Sequence, residues 1–187
     1  MGVTRTPRST WIEEGLRALA AGGPEAVRIE TLAHALGVSK GGFYGHFANR
    51  DALLTEMLDV WERDGTEVVI ARVENRGGDA RTKLARLFGI VAVRSEETPA
   101  TSIAADLAIR DWARRDEGVA RRLRRVDNKR MEYLRSLYRE FCPDEADVEA
   151  RSTIAYALRI AYHSMAVDHG AYTRDEVMEL IKVRLHA

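Results

Sequence analysis

Residues 32–47 read LAHALGVSKGGFYGHF, and this run predicts two short helices joined by a tight turn. Leu32 and Leu36 are spaced so that the first helix has one apolar face. Gly37 stands where the chain must reverse, because glycine tolerates the positive φ that ends a helix. Ser39 follows at a position where a hydroxyl can cap the second helix. The arrangement is typical of a helix-turn-helix, which places the end of its second helix in the major groove of DNA.

The same segment resembles the DNA-binding half of the TetR family of transcriptional regulators. The resemblance covers roughly the first third of the chain. It rests on the order of Leu32-Ala33, Gly37-Val38-Ser39-Lys40, Phe43-Tyr44, His46-Phe47 and Arg50-Asp51-Ala52-Leu53-Leu54. A weaker resemblance continues through residues 111–116 and 128–134, which look like the regulatory half of some actinobacterial-type members.

The resemblance implies that the second helix of the motif binds DNA. Lys40 and the first amides of that helix are expected to meet the DNA backbone, and Tyr44 and His46 to donate hydrogen bonds to phosphates. Gly41 and Gly42 have no side chain that reads a base, so they are expected to allow close approach and to leave Lys40 as the best candidate for a base contact. Alternatively, Lys40 is a solvated lysine, Tyr44 a surface aromatic and His46 a capping side chain. The full set of expected DNA contacts is Thr31, Ser39, Lys40, Gly41, Gly42, Tyr44 and His46.

Two residues depart from the family pattern. Arg28 stands where relatives often have a Ser or Thr that caps the first helix of the motif, and a poorer cap costs about 1 kcal/mol. Gly45 stands where relatives often have a larger residue, commonly an aromatic one. A glycine inside a helix costs about 1 kcal/mol relative to alanine. With Gly41 and Gly42 also present, the second helix is expected to be frayed in the free protein and to become ordered on DNA.

Helical periodicity predicts an all-α chain of about nine helices, with no strand alternation. The first helix is expected to start near Thr10, because Thr10 and Glu13 have the spacing of a capping box. Asn49 is expected to cap the fourth helix, and Thr173 with Glu176 to form a second capping box before the last one. The expected helices between these points occupy residues 29–36, 39–45, about 50–73, 80–95, 101–114, 117–141 and 144–169.

The clearest break in the pattern is the segment NRGGD at residues 75–79. We expect residues 1–50 to form a three-helix helix-turn-helix domain, and the helix from about residue 50 to link it to the rest of the chain. Residues 51–187 are expected to form a helical domain for effector binding and dimerisation.

The chain has 187 residues, 45% of them hydrophobic, which suffices for one large or two small domains with a buried core. Its net charge is zero, but residues 1–50 hold six Lys or Arg against four Asp or Glu, a balance of +2. Arg5 and Arg8 belong to an expected disordered arm, residues 1–8, where they reach phosphates or are simply solvated. The single cysteine, Cys142, excludes an intrachain disulfide. Because the chain shows neither a signal peptide nor an apolar run of about 18 residues, we expect a cytoplasmic protein without a membrane partner.

One helix-turn-helix buries little area, and dimers solve this by presenting two recognition helices about 34–36 Å apart. The last two helices are expected to form a four-helix interface between two copies, or else to close the monomer's own core. The candidate interface residues are Ile154, Ala157, Leu158, Ala161, Met165, Val177, Leu180 and Ile181. The middle helices are expected to hold an apolar pocket for an unknown small-molecule effector, although core packing explains each side chain equally well. The candidate pocket residues are Trp61, Phe88, Trp112, Tyr133, Leu137, Tyr156 and Tyr162.

Other classes of function explain less of the sequence than a transcriptional regulator does. His163 and Asp168 are five residues apart and do not share a helix face cleanly, so we expect no catalytic residue, no metal ligand and no cofactor. The arginine-rich residues 121–130 form either a second nucleic-acid patch or, with their acidic neighbours, a solvated face. A helical protein-interaction module fits the neutral charge but leaves residues 39–47 unexplained. We therefore expect a ligand-responsive transcriptional regulator, a repressor rather than an activator, that binds a palindromic operator as a homodimer.

Overall fold

The computed structural model describes residues 6–92 and 98–186, and within these ranges the chain is helical, without a strand. Its α-helices are α1 (Arg8–Gly22), α2 (Ile29–Ala35), α3 (Lys40–Tyr44), α4 (Arg50–Glu62), α5 (Val69–Glu74), α6 (Ala80–Ala92), α7 (Ile103–Ala113), α8 (Glu117–Arg139), α9 (Glu145–Ser164) and α10 (Arg174–His186). A π-helical segment, Arg63–Val68, joins α4 to α5, so the backbone from Arg50 to Glu74 is helical without interruption. With that run counted once, these ranges hold nine helices, and the predicted all-α fold is confirmed. None of the helices described is long and apolar enough to cross a membrane.

The described residues pack into two compact units. The first contains the chain up to Val68 and the segment that ends at Val126, and therefore α1 to α4, α7 and the first part of α8. The second contains the segment that begins at Val69 and the chain from Asp127 onward, and therefore α5, α6, the rest of α8, α9 and α10. This division follows packing, and the functional boundary near residue 50 stays a prediction.

The core of the first unit is aromatic where it meets the helix-turn-helix. Trp11 of α1 and Phe43 of α3 are fully buried, with their ring centroids 5.4 Å apart in an edge-to-face arrangement. Phe47 stacks on Phe43 with a centroid distance of 5.2 Å. Such aromatic pairs add about 0.5–1.5 kcal/mol each beyond the area that they bury. Because α1 also packs against α4 and α7, a core much larger than α3 fixes the position of this five-residue helix.

The turn and most caps of the motif follow the sequence prediction. Gly37 has a φ of 66°, and the Oδ1 atom of Asn49 accepts a hydrogen bond from the backbone N–H of Ala52 at 2.9 Å. Arg28 is the N-cap of α2 and makes no side-chain cap hydrogen bond, as expected. Ser39 is the N-cap of α3, but its hydroxyl makes no cap hydrogen bond either. The position predicted for Ser39 is therefore confirmed, and the predicted bond is absent.

Two predicted helix boundaries are wrong. α1 begins at Arg8, with Pro7 as its N-cap, so Thr10 lies inside the first turn and no capping box starts the helix there. Proline precedes a helix easily because its φ is already near the helical value. Arg8 consequently belongs to a helix and not to a disordered arm, while Arg5 lies outside the described residues. The helix predicted to reach residue 169 ends at Ser164, and the predicted end of α6 at residue 95 lies outside the described residues.

The second unit has its own apolar core between α6, α8, α9 and α10. Leu84, Leu137 and Val148 are among its buried residues. The predicted capping box before α10 is confirmed: the N–H of Thr173 donates to Glu176 Oε2 at 2.7 Å, and the N–H of Glu176 donates to Thr173 Oγ1 at 3.2 Å. These two reciprocal bonds define where α10 begins.

The substitution Asn49→Ala removes the acceptor of the Ala52 N–H at the start of α4. We expect it to lower the free energy of unfolding by about 1 kcal/mol. Ser39→Ala is the matched control, because Ser39 is also an N-cap but makes no cap hydrogen bond, and we expect it to change that free energy by less than about 0.5 kcal/mol. Chemical denaturation of both variants beside the unmodified protein measures the two effects. Equal losses would show that the Asn49 bond does not stabilise α4.

Candidate nucleic-acid interface

The short helix α3 has one buried and one exposed face. Phe43 lies in the aromatic core, whereas Lys40, Gly41 and Tyr44 are exposed, Tyr44 to 59%. The ring of Tyr44 packs edge-to-face on Phe43, with the centroids 5.4 Å apart, and this contact supports the exposed phenol. Phe43 and Phe47 therefore face the core, and Tyr44 faces outward.

The three glycines of this segment differ in their surroundings. A Cβ atom on Gly42 would lie 3.7 Å from the ring of Trp11, whereas one on Gly41 would meet only the Ser39 hydroxyl, at 3.5 Å. Gly41 is thus the position that faces solvent, and Gly42 faces the core. The sequence suggested that Gly45 lies inside the helix. Gly45 is instead the C-cap of α3, with a right-handed φ of −74°. The cost of an interior glycine applies to Gly41 and Gly42 alone.

Lys40, the first residue of α3, forms an ion pair with Glu30 in the first turn of α2. The Lys40 Nζ donates a hydrogen bond to Glu30 Oε1, and this bond holds the pKa of Glu30 below its ordinary value. The two side chains are 54% and 63% exposed. Thr31 and Ser39, which neighbour them in sequence and are predicted DNA contacts, are exposed as well. The ion pair therefore lies on the surface predicted to face DNA.

Arg8 links the start of α1 to the exit of α3. Its guanidinium forms an ion pair with Glu56 of α4 and donates to the backbone carbonyl of His46. The same group lies 4.3 Å from the centroid of the Phe47 ring. His46 is half-buried, with its Nε2 atom 2.8 Å from the carbonyl oxygen of Thr6. Both side chains hold the motif together in the free protein, and a phosphate contact by His46 stays a prediction.

The cationic side chains of residues 6–50 all have partners within the protein. Beside Arg8 and Lys40, Arg17 pairs with carboxylates along α1. Arg28 and Arg50 donate to backbone carbonyls, at 3.1 Å and 2.7 Å. The small positive balance of this region is thus largely engaged in holding its fold, and Lys40 is the cation among the five that stands on α3.

The residues predicted to line an effector pocket fall in both units, with Trp61 and Trp112 in the first and Phe88, Tyr133, Leu137, Tyr156 and Tyr162 in the second. Trp61 is buried, and its Nε1 donates to Asp106 Oδ1 at 3.2 Å. The hydroxyls of the tyrosines donate to carboxylates of the second unit: Tyr133 to Glu74 at 2.7 Å, Tyr156 to Asp127 at 2.7 Å and Tyr162 to Asp175 at 2.9 Å. These contacts explain the side chains as packing residues, and a shared pocket stays a prediction.

A cleft of about 530 Å³ opens in the first unit beside α4. Of the predicted pocket residues, Trp112 lines it. Its apolar lining is Leu54, Leu58, Trp112 and Val119, and its polar lining includes Asp51, Thr55, Asp116, Arg121, Arg122 and Arg125. Arg122 Nη1 donates to Asp59 at 2.6 Å and to Glu62 at 3.1 Å, which binds the start of α8 to α4. Around Arg122, the arginine-rich segment is therefore a surface of mixed charge.

The residues predicted to form a dimer interface differ in exposure. Ile154 and Met165 are each about half exposed, and Leu180 and Ala157 are exposed too. The remaining four, Leu158, Ala161, Val177 and Ile181, are half-buried. Val183 of α10 was not among the predicted residues. At 69%, it is the most exposed large apolar side chain of the described residues. Clustered exposed apolar side chains are typical of an interaction surface.

The arrangement of α2 and α3, with the exposed face of α3, is that of a helix-turn-helix. Residues 12–57 match the family model described as bacterial regulatory proteins, tetR family. The match covers the helix-turn-helix and the first part of α4, so this region is similar to the DNA-binding domain of that family. A search of curated proteins finds no match.

Solved structures share the fold over most of the chain. AibR, in complex with isovaleryl coenzyme A and operator DNA, is 14% identical with a TM-score of 0.69, over 95% of this chain and 97% of that one. A structure described as a TetR-family transcriptional regulator from Rhodococcus sp. is 20% identical with a TM-score of 0.66, over 95% and 98%. A transcriptional regulator from Pseudomonas aeruginosa PAO1 is 18% identical with a TM-score of 0.64, over 95% and 91%. At these identities the likeness is one of fold.

Hydrogen exchange of the backbone amides tests whether α3 is only marginally stable in the free protein. α3 has five residues, two of them glycine, whereas α1 has 15 residues. We expect the amides of α3 to exchange faster than those of α1 without DNA, and to become protected on DNA. Hydrogen exchange read by mass spectrometry or NMR checks this. Protection of α3 equal to that of α1 in the free protein would contradict it.

Proposed function

We propose that the chain is a cytoplasmic repressor that binds a palindromic operator as a homodimer, and that a small-molecule effector releases or alters this binding. The observation that carries the proposal is the TetR-family helix-turn-helix whose helix α3 buries Phe43 and exposes Lys40, Gly41 and Tyr44. A buried anchor with polar groups on the opposite face is the arrangement by which a helix enters the major groove.

The proposed contacts divide into positioning and reading. Lys40 and Tyr44 bind phosphates and fix the register of the domain on the duplex, with Thr31, Ser39 and His46 as further backbone contacts. Gly41 lets the backbone of α3 approach a base edge, since its missing side chain faces solvent. Gly42 contributes through its backbone, because its Cβ direction is occupied by Trp11. Base recognition therefore rests on groove shape and on the close approach of the α3 backbone.

The proposed dimer interface is the exposed apolar surface of α9 and α10. Ile154, Met165 and Leu180 supply large side chains, and Ala157 and Ala161 allow close approach of helices. Two helices from each copy form a four-helix interface. This arrangement presents two recognition helices to the two halves of a palindrome.

The proposed effector acts through the helical region outside the helix-turn-helix. A ligand changes DNA affinity only if it binds two arrangements of the protein unequally. The cleft beside α4 is one place for it, because Leu54 and Leu58 of α4 and Val119 of α8 line the same space. The fold shared with AibR, whose structure holds isovaleryl coenzyme A, supports a small-molecule effector. Trp61, Trp112 and the aromatic residues of the second unit remain the predicted pocket.

A gel shift with DNA from around the coding region, across a salt series and with unrelated competitor DNA, tests DNA binding. We expect binding that survives the competitor and a palindromic footprint. Lys40→Gln should weaken binding and lower the salt slope by about 2, because each copy of the dimer loses one phosphate contact. Arg76→Gln is the matched control, since it removes one exposed cation from the second unit, and it should leave both quantities unchanged.

The other outcomes of this experiment are equally informative. Binding that unrelated DNA abolishes would indicate non-specific affinity for this fragment and no operator in it. Absence of any DNA binding would reject the proposed function and favour a helical protein-interaction module.

Sedimentation equilibrium tests the dimer. Ile154→Glu places a charge in the exposed apolar surface of α9, and we expect it to shift the protein from dimer to monomer at micromolar concentration. Thr153→Glu is the matched control, because it adds the same charge to an exposed neighbour that is not a predicted interface residue. A dimer that both variants preserve would place the interface elsewhere.

A further inference from the structure

We propose that Glu30 is an internal competitor of DNA for Lys40, so that the ion pair between α2 and α3 lowers the affinity of the helix-turn-helix for DNA of any sequence. The inference rests on the proposed function, because it concerns the same DNA-facing surface. It adds a role for Glu30, a residue that no DNA contact requires.

The position of the pair is the first argument. Lys40 opens α3 and Glu30 lies in the first turn of α2, and the Lys40 Nζ donates directly to the Glu30 carboxylate. Both side chains are more than half exposed, so the fold does not depend on burying them. An exposed ion pair of this kind contributes little to folding. Its main consequence is therefore for whatever approaches Lys40.

The charges of the motif are the second argument. Arg8 is held by Glu56 and by the exit of α3, Arg17 by carboxylates of α1, and Arg28 and Arg50 by backbone carbonyls. These four cations serve the structure of the domain. Among the cations of residues 6–50, Lys40 is the one whose position on α3 fits a direct contact with DNA. Its partner consequently has more effect on DNA binding than any other carboxylate of this range.

The chemistry of the exchange is the third argument. A phosphate and a carboxylate are both anions, and Lys40 has one ammonium group to offer. A phosphate that reaches the Lys40 Nζ meets the negative Glu30 carboxylate on the same ammonium group, so the two anions repel each other and the contact of Lys40 with the phosphate is weakened. The cost is the same for every sequence, because phosphate contacts do not distinguish bases.

A double-mutant cycle in DNA binding tests this inference. The variants are Glu30→Gln, Lys40→Gln and the combination of both, measured by fluorescence anisotropy on the coding-region fragment and on a 30-bp duplex of mixed sequence. We expect Glu30→Gln to tighten binding to both probes by about two- to fivefold at low salt, and by less at high salt. In the Lys40→Gln background the same change should have a clearly smaller effect. Glu25→Gln, at a glutamate paired weakly with Arg115 at 3.9 Å, is the matched control and should have little effect.

Each alternative has its own signature. Weaker binding by Glu30→Gln would show that Glu30 positions Lys40 for DNA, which overturns competition. An equal gain in both Lys40 backgrounds would show a general repulsion of DNA by the carboxylate, and would overturn it as well. Unmodified protein that binds both probes, with Glu30→Gln unchanged, would reject the inference alone. Unmodified protein that binds neither probe would reject the proposed function, and the inference with it.

A second measurement does not require DNA. The carboxyl of Glu30 can be titrated by NMR in the free protein, where we expect a pKa below the ordinary value of a glutamate. In the Lys40→Gln variant the pKa of Glu30 should rise toward its ordinary value. A pKa of Glu30 that does not respond to Lys40→Gln would show that the ion pair is not formed in solution, and would overturn the inference whatever the binding data.

Discussion

The packing of Phe43 against Trp11 is the contact on which the DNA-facing surface of this protein depends. α3 has five residues and two glycines, and a helix of that length has almost no stability of its own. Its position is set by the burial of one aromatic ring between Trp11 and Phe47. With Phe43 fixed in the core, Lys40 and Tyr44 lie exposed beside it on the same short helix. Under the proposed function, a change in the aromatic core of α1 would therefore affect DNA binding without touching any residue of the exposed face.

Local features of the sequence were sufficient to predict the motif. Gly37 indicated the turn, Asn49 the cap of α4, and the box of Thr173 with Glu176 the start of α10, and all three are present. Each of these depends on residues within about four positions of one another, which is the range that sequence patterns encode. The failures at this level, Thr10 and the Ser39 hydroxyl, concern which of several adjacent residues ends the helix.

Contacts between distant residues could not be predicted in the same way. Arg8 and Glu56 are 48 residues apart, and Lys40 and Glu30 are 10 apart on two different helices. Neither pair has a spacing rule, because the partners meet only after the helices have packed. The aromatic residues predicted as a pocket stay a prediction for a related reason. A periodic apolar or aromatic stripe looks the same whether it lines a cavity or fills a core, and Trp61 fills a core.

The zero net charge of the chain and the ion pairs of residues 6–50 have a common consequence. A protein with zero net charge exerts little long-range attraction on a polyanion. The cations of residues 6–50 also have partners before DNA arrives. Under the proposed function, association with DNA would therefore depend on contacts that form at short range, after the surfaces have met, and would be slower than for a strongly basic protein.

The open space at Gly41 affects which substitutions this domain can accept during evolution. A side chain at that position meets only the Ser39 hydroxyl, so it requires no repacking of the core. Replacing a glycine inside a helix by alanine or a longer side chain favours the helix by about 1 kcal/mol. Most changes of specificity cost stability, whereas here a residue that reads a new base would also strengthen the helix that carries it. Under the proposed function, Gly41 is a position where a single substitution would change operator preference without loss of fold.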